Sequence, residues 1–408
     1  MPQLIPVTTT RLGEHLPLLE LLPDDQPLSW IRGGDGMVGW GVFAQTTVRG
    51  PDRFTQARNW WHQQLEKFAI TDSVHITGTG PILFTSFSYS ETDDSVLIIP
   101  KVIVGMKGGK SWITWIDDET QPSLRENPDF LKAPTYTWSN GTISTDEWKE
   151  NISTAVKKIQ DEKIEKVVLA RDLNAVASAR IDPRLILRNL AEQYPSTWCF
   201  SVDGLIGATP ELLLRLTRGM VTSRVLAGTI SKTGDDEKDL ARSASLARSS
   251  KDLEEHVYAV RSVVESLSHF CSSTNVPDSP FVLHLANVMH LATDVTGAIS
   301  ESAHHVDTFA ILAKLHPSAA VCGTPTQSAN EIISELEGIS RGRYAGPVGW
   351  IDARGDGELG IALRCGEISG KSIRLFAGCG IVAGSDPEKE LAESQVKFAP
   401  MIHALSES

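Results

Sequence analysis

The chain has 408 residues, of which 41% are hydrophobic and 22% are charged, and its formal net charge is −13. This composition excludes a disordered polymer and supplies enough apolar side chains for a large core. The acidic excess argues against a surface made for nucleic acid or anionic lipid, so an anionic ligand requires a locally positive pocket or a metal ion.

The first residues and the cysteines bear on the cellular compartment. The first residues lack a basic segment followed by an apolar one, and no apolar run approaches the roughly 20 residues that cross a bilayer. We therefore expect a cytoplasmic protein with no membrane partner. The cysteines form no Cys-x-x-Cys pair, which predicts reduced, mostly buried thiols rather than a disulfide scaffold or zinc site. They are Cys199, Cys271, Cys322, Cys365 and Cys379.

The first third of the chain is rich in predicted strands. Apolar runs at residues 82–87 and 96–104 predict two of them, and residues 59–68 predict a helix. The segment from Gly33 to Gly36 lacks the Lys-Ser/Thr of a phosphate loop, so it predicts a hairpin turn. A polar seam at residues 133–142 separates this part from the rest.

After the seam, strands and helices alternate. A capping box from Ser144 to Glu147 opens a helix, a long helix is predicted from Glu237 to Phe270, and the last helix begins near Pro387. Successive strands joined by tight glycine turns indicate mainly antiparallel sheets, and sheets flanked by helices indicate an α+β fold. The predicted strands are residues 164–176, 198–206, 211–216, 221–226, 346–352, 357–364 and 372–381.

Lys166 is the first candidate for chemistry. Strand alternation places it on the same face as Ile164 and Val168, among apolar neighbours. An amine in apolar surroundings is harder to charge, which would suit a general base near neutral pH. The alternative is an edge-strand lysine whose stem lies on apolar surface while its amine reaches water.

Glu211 is the matching candidate for an acid. It follows Pro210 and precedes three leucines, so a proline corner holds its carboxylate against apolar side chains. Burial there would raise its pKa and let it donate a proton at neutral pH. The alternative is a glutamate in a solvent-exposed turn.

Further carboxylates lie on two helices. On the last helix, Glu390, Glu393 and Lys397 fall within about 60° of one another beside the apolar stripe. On the long helix, the segment from Lys251 to His256 adds more carboxylates. Oxygen ligands from two helices suit Mg²⁺ better than zinc or copper. The alternative is a solvated charged face with ordinary (i, i+4) pairs.

The glycine-rich segment from Gly378 to Gly384 is a poor match to a dinucleotide loop, because its third glycine is misplaced and no βαβ unit precedes it. Its glycines instead favour close approach of backbone amides to a carboxylate, with the following helix N-terminus adding positive potential.

Taken together, these segments resemble the chorismate-utilising enzymes, and among them the isochorismate synthases. The resemblance runs from about Trp148 to the end of the chain and rests on nine segments in the same order. They are Lys166 to Arg171, Gly207 to Leu212, Val225 to Thr229, Lys251 to His256, His316 to Pro325, Arg343 to Gly346, Leu363 to Arg364, Gly378 to Ile381 and Glu390 to Lys397.

The resemblance implies a role for each matching residue. Lys166 matches the base that activates water for attack at C2 of chorismate, and Glu211 matches the acid that protonates the departing C4 hydroxyl. Glu255 and Glu393 match the Mg²⁺ ligands, with Glu390 as an acidic neighbour. The groups that match the substrate pocket are Gly228, Thr229, His290, Ala320, Tyr344, Arg364, Gly378, Cys379, Gly380 and Lys397.

Four positions bear on the choice within the family. Ala227 stands where aminodeoxychorismate synthases carry a nucleophilic lysine, and Ala320 stands where salicylate and anthranilate synthases usually have threonine. Both favour an enzyme that adds water and stops at isochorismate. Ile230 and Thr326 depart from the basic residues found in many members, which affects fine substrate contacts and not the class of reaction.

The resemblance implies one α+β fold with large antiparallel sheets packed face to face and helices outside. We therefore expect a single catalytic domain over residues 1–408, with a divergent part at 1–133, where no tryptophan-binding segment is found, and the motifs at 144–408. The expected protein is a monomeric, Mg²⁺-dependent isochorismate synthase serving menaquinone or siderophore synthesis, with chorismate as its partner. The alternatives are a salicylate synthase, which would also expel pyruvate, and a non-catalytic chorismate-binding subunit.

Overall fold

The structure is a computed structural model that describes residues 3–13, 16–117, 120–127, 130–161, 163–301 and 306–406. Within these ranges the helices are α1 (Arg53–Leu65), α2 (Thr145–Gln160), α3 (Pro183–Gln193), α4 (Asp236–Leu246), α5 (Ser250–Ser268), α6 (Thr308–Leu315), α7 (Thr326–Leu336) and α8 (Pro387–Ser406). The strands of the first half are β1 (Ile5–Leu12), β2 (Leu28–Arg32), β3 (Asp35–Val48), β4 (Phe68–Asp72), β5 (Ile82–Ser86), β6 (Ser95–Lys107), β7 (Lys110–Ile116), β8 (Tyr136–Asn140), β9 (Lys166–Ala177) and β10 (Trp198–Val202). Those of the second half are β11 (Leu205–Thr209), β12 (Leu212–Thr217), β13 (Met220–Ser231), β14 (Cys271–Asn275), β15 (Phe281–His284), β16 (Val288–Ile299), β17 (Gly323–Thr324), β18 (Pro347–Asp352), β19 (Gly357–Ile361), β20 (Cys365–Ser369) and β21 (Ser372–Ile381).

The strands form two large, mainly antiparallel sheets. The first has the order β4-β1-β7-β6-β3-β2-β10-β11-β20-β21-β9, with β17 and β8 on different parts of the outer edge of β9. The second has the order β6-β5-β18-β19-β12-β13-β16, with β14 and β15 on the outer edge of β16. Strand β6 belongs to both, because Val102–Lys107 pair with β7 while Val96–Ile98 pair with β5.

The two sheets pack face to face around the larger core. Trp30 and Phe200 of the first sheet lie in one buried cluster with Phe84 and Trp350 of the second. On the other face of the first sheet, α3 and α8 cover a second core that includes Ile186 and Phe398. This arrangement confirms the α+β class, since each sheet buries one face on its neighbour and helices cover the outside.

Local predictions near the helix starts and turns are mostly confirmed. The Ser144 hydroxyl caps α2 by accepting from the Glu147 amide at 3.1 Å. The turn after β2 is a hairpin, with Gly33 and Gly34 at positive φ. All five cysteines are free thiols, and four of them are buried. Among the described residues, none of the helices combines the length and the apolar character that a bilayer span requires.

Three boundaries differ from the sequence prediction. The long helix from Glu237 to Phe270 is wrong as a single element, because the chain turns between α4 and α5 and Ser249 caps the second helix through the Asp252 amide. The strand predicted at 198–206 is a hairpin that turns at residues 203–204, where both residues have positive φ. Helix α1 begins six residues before its predicted start.

Candidate active site

The predicted site residues meet where the last strands of the first sheet, β13 and β16 of the second, and helices α5 and α8 come together. A narrow cavity of about 60 Å³ lies there, with wider surface clefts elsewhere, one of them about 980 Å³. We identify the site by its convergent charged and polar groups and not by size. Eleven of the fourteen predicted residues line it, namely Glu211, Gly228, Thr229, Glu255, His290, Ala320, Tyr344, Arg364, Gly378, Gly380 and Lys397.

Lys166, at the start of β9, has a fully buried side chain. It does not line the cavity itself, but its Nζ lies 3.3 Å from Glu255 Oε1, which does. This contact lacks the angles of a hydrogen bond, so Nζ has no hydrogen-bond partner among the described residues. A buried amine with unused hydrogen-bonding capacity is costly for a fold to keep unless it has a task.

Glu211 lies between β11 and β12 and is 4% exposed. Burial raises the pKa of its carboxyl to about 8, although the amide of Leu226 and the charges of Lys166, Lys397 and Arg364 oppose the shift. The carboxyl therefore keeps its proton at neutral pH, as a general acid must.

Three lysines lie beside carboxylates around the cavity. Besides Lys166 with Glu255, Lys251 Nζ lies 2.6 Å from Glu390 Oε1 and Lys397 Nζ lies 2.5 Å from Glu393 Oε1. Burial and the charge of Glu393 raise the pKa of Glu390. Burial also opposes ionisation of Glu393, but Lys397 outweighs it and the pKa of Glu393 is lowered.

A cation could be held beside these pairs. One ligand atom each from Cys379, Glu390 and Glu393 lies within 4.8 Å of the others. The carboxylate oxygens fit Mg²⁺, whereas a thiol is a soft ligand that Mg²⁺ does not prefer, and Cys379 Sγ already donates to the carbonyl of Glu390 at 3.3 Å. Glu255 does not belong to this cluster and instead contacts Lys166.

Gly378 and Gly380 lie within strand β21 and not in a loop. A Cβ at Gly380 would lie 2.0 Å from Glu255 Oε1, so only glycine leaves room for that carboxylate. The carbonyl of Gly378 accepts from Lys397 Nζ at 2.9 Å. The prediction that amides of this segment meet a ligand carboxylate stays a prediction, and the structure adds a close approach of the Glu255 side chain to the strand.

On the opposite wall, Arg364, His290 and Thr229 form a chain of contacts. Arg364 Nη2 lies 3.1 Å from His290 Nε2, and His290 Nδ1 lies 3.1 Å from Thr229 Oγ1. A guanidinium only donates, so Nε2 accepts and Nδ1 carries the hydrogen. Burial and the charge of Arg364 lower the pKa of His290 well below its ordinary value, so the ring is neutral and adds no charge beside Arg364.

Tyr344 completes this wall. Its ring is buried and stacks on Phe376, with ring centroids 5.1 Å apart and an interplanar angle of 8°. A cavity bounded by Arg364 and Lys397 on a buried apolar base suits an anion with an unsaturated ring.

The sequence analysis missed one charged residue of the cavity lining, Arg341. The segments compared there begin two residues later, at Arg343. An arginine four residues after Glu337 was the available signal for a buried pair.

Comparisons with known proteins identify the family of the chain. A family model described as chorismate binding enzyme matches residues 32–406. The isochorismate synthase MenF of Bacillus subtilis is 31% identical over 404 residues, which cover 90% of this chain and 85% of that protein. The isochorismate synthase DhbC of Bacillus subtilis is 36% identical over 271 residues, covering 64% of this chain and 68% of that protein. In fold, the menaquinone-specific isochorismate synthase MenF from Escherichia coli superposes with a TM-score of 0.81 at 24% identity, over 98% of this chain and 95% of that one.

Proposed function

The chain belongs to the family of chorismate-binding enzymes, and from that premise we propose that it is an isochorismate synthase, an isomerase that converts chorismate to isochorismate. The full-length similarity to a named isochorismate synthase supports the activity. The observation that carries the proposal is that a buried carboxyl that holds its proton at neutral pH, Glu211, lines the cavity, while a buried amine, Lys166, contacts the cavity-lining Glu255.

In the proposed mechanism, the Lys166 amine removes a proton from a water molecule as the oxygen bonds to C2 of the ring. The ring double bonds shift, the C4–O bond breaks, and Glu211 gives its proton to the departing hydroxyl, which leaves as water. One water enters and one leaves, so the reaction is an isomerisation without change of oxidation state. A proton then returns from Lys166 to Glu211 through solvent.

Binding the substrate requires positive charge, because chorismate is a dianion and the Glu255 side chain also borders the cavity. We assign the anion contacts to Arg364 and Lys397, whose side chains line the cavity. His290 fixes the Arg364 guanidinium at 3.1 Å without adding charge of its own. Tyr344 and Phe376 form the flat base on which the ring would rest.

We also propose that Glu255 and Glu393 bind Mg²⁺, with Glu390 beside them. When bound, the ion supplies positive charge that the substrate carboxylate and these side chains share. The support is the pair of carboxylates near the N-terminal end of α8, Glu390 and Glu393, and the room that Gly380 leaves for the Glu255 side chain. Lys251 and Lys397 lie beside Glu390 and Glu393 and compensate their charge.

The proposal extends to a cytoplasmic monomer with one catalytic domain, whose product supplies menaquinone or siderophore synthesis. Support for the two pathways comes from relatives, which include the menaquinone-specific enzyme of Escherichia coli and a vibriobactin-specific isochorismate synthase of Vibrio cholerae.

The test is product identification. Purified protein is incubated with chorismate and Mg²⁺, with and without a chelator, and the products are separated by chromatography. We expect isochorismate as the main product, and its loss with the chelator. Salicylate plus pyruvate as main products would identify a salicylate synthase instead, and unchanged chorismate would identify a non-catalytic binding protein.

A further inference from the structure

Strand β9, which begins with Lys166, has an interrupted outer edge. Strand β17 covers this edge only at Lys166 and Val167, and β8 covers it only from Leu173 onward. Between these two partners the Val168 amide donates to the carbonyl of Cys322 at 2.7 Å, which leaves the Val168 carbonyl and the amide and carbonyl of Ala170. Since buried backbone groups need hydrogen bonds, something other than a strand must satisfy them.

Side chains fill this gap. The guanidinium of Arg341 donates from Nη2 to the carbonyl of Val168 at 2.8 Å, and the Glu337 carboxylate accepts from the amide of Ala170 at 2.7 Å. The indole of Trp148 donates to the carbonyl of Ala170 at 3.2 Å. Three side chains thus replace a missing strand beside the residue proposed as the base.

Arg341 also holds the neighbouring Ala320–Val321 segment, which borders the cavity beside β9. Its Nη1 donates to the carbonyl of Val321 at 2.7 Å, next to Ala320, while Nε donates to Glu337 Oε2 at 2.9 Å and Nη2 donates to Glu337 Oε1 as well. Both side chains are 3% exposed or less. Although Arg341 borders the cavity, hydrogen bonds within the protein use most of its N–H groups, so its task is to hold backbone and not to bind a ligand.

We propose that Glu337 and Arg341 form a positioning clamp that holds the strand of Lys166 and the adjacent Ala320–Val321 segment of the cavity lining in fixed register. The inference rests on the proposed function, because it assigns to Lys166 the role of base. The clamp acts on the reaction by fixing the position of Lys166, since a shift of about 1 Å in a reacting group costs on the order of 100-fold in rate. The groups proposed to bind the substrate, Arg364 and Lys397, lie on other elements.

The chain offers a matched control two residues away. Arg343 is also buried, donates to Glu367 at 2.7 Å, and binds the carbonyls of Val202 and Asp203, but it does not touch β9. Arg341→Lys and Arg343→Lys therefore remove equivalent buried guanidinium contacts, one at the clamp and one away from it.

The experiment measures kcat and KM for isochorismate formation. We expect Arg341→Lys to lower kcat about 10- to 100-fold with KM changed less than about threefold, and Arg343→Lys to stay within about threefold of wild type in both. A drop in kcat for Arg343→Lys equal to that for Arg341→Lys would overturn the clamp, as would a rise in KM for Arg341→Lys as large as its loss of kcat.

A second pair of variants, at Glu337, tests the clamp if Arg341→Lys folds poorly. Glu337→Gln retains an oxygen for the Ala170 amide, whereas Glu337→Ala does not, so we expect Glu337→Gln to keep the higher kcat. Hydrogen exchange at Ala170, read without substrate, should be slow in wild type and fast in Glu337→Ala. Equal kcat and equal exchange in the two variants would refute the clamp. A wild-type protein with a protected Ala170 amide that makes no isochorismate would instead refute the proposed function.

Discussion

Replacing Glu211 by glutamine tests whether the proton that the buried Glu211 carboxyl retains at neutral pH is the one donated to the departing hydroxyl. Glutamine keeps the shape and hydrogen-bonding capacity of a protonated glutamate but has no proton to donate. We expect turnover to fall by about 10²- to 10⁴-fold, the usual contribution of a general acid. In wild type, kcat/KM should fall about tenfold per pH unit once the pH exceeds the Glu211 pKa of about 8, because the free enzyme then lacks its acid.

The same pKa has a consequence for stability, with a definite sign. In the unfolded chain the carboxyl loses its proton near pH 4.5, and in the folded protein only near pH 8. The folded state therefore binds the extra proton between these values, so this contribution to the free energy of unfolding is largest at low pH and falls as the pH rises to about 8. Between pH 5 and pH 9 the fall amounts to about 4 kcal/mol.

The assays are chorismate turnover across pH 6 to 10 and urea unfolding at pH 5 and pH 9. Glu211→Gln should lack the alkaline loss of kcat/KM near pH 8 and should lose about 4 kcal/mol less stability than wild type between the two pH values. Glu265→Gln, at an exposed position of α5, is the control and should behave as wild type. An alkaline limb that persists unchanged in Glu211→Gln would refute the reasoning.

Three other variants test neighbouring parts of the site. Lys166→Ala should lose at least 100-fold in kcat with an unchanged circular dichroism spectrum, and a fully active variant would remove Lys166 from the role of base. Glu393→Gln should weaken Mg²⁺ binding at least tenfold in calorimetric titration, because one charged ligand is lost; an unchanged titration would contradict the ligand assignment. Gly380→Ala should also weaken Mg²⁺ binding, since its methyl group would lie 2.0 Å from Glu255 Oε1 and must displace that carboxylate, and wild-type affinity would show that Glu255 is not a ligand.

Much of the fold and the site could be predicted from local pattern. Alternation along residues 164–170 placed Lys166 on a buried face, and the proline corner placed Glu211 against leucines; both side chains are 4% exposed or less. The capping box at Ser144 and the hairpin at Gly33 were also predictable, since each depends on residues within a few positions of one another.

Some features of the fold had no local signal. The predicted helix from Glu237 to Phe270 continued through residues 247–249 because no glycine or proline marks the break, and the turn there depends on how α4 and α5 pack on β13. The transfer of β6 from one sheet to the other depends on the choice of partners far along the chain.

For the site, sequence alone determined which residue types face the interior, because helix and strand periods assign each side chain to a face of its own element. Only the tertiary structure decided which charges meet. Glu255 contacts Lys166 from a different element, Lys251 and not a neighbour on α8 compensates Glu390, and Arg341 satisfies the backbone of β9 from 173 residues away. Such contacts depend on the register in which distant segments pair, and that register is set by the packing of the whole core and not by the residues on either side of each charge.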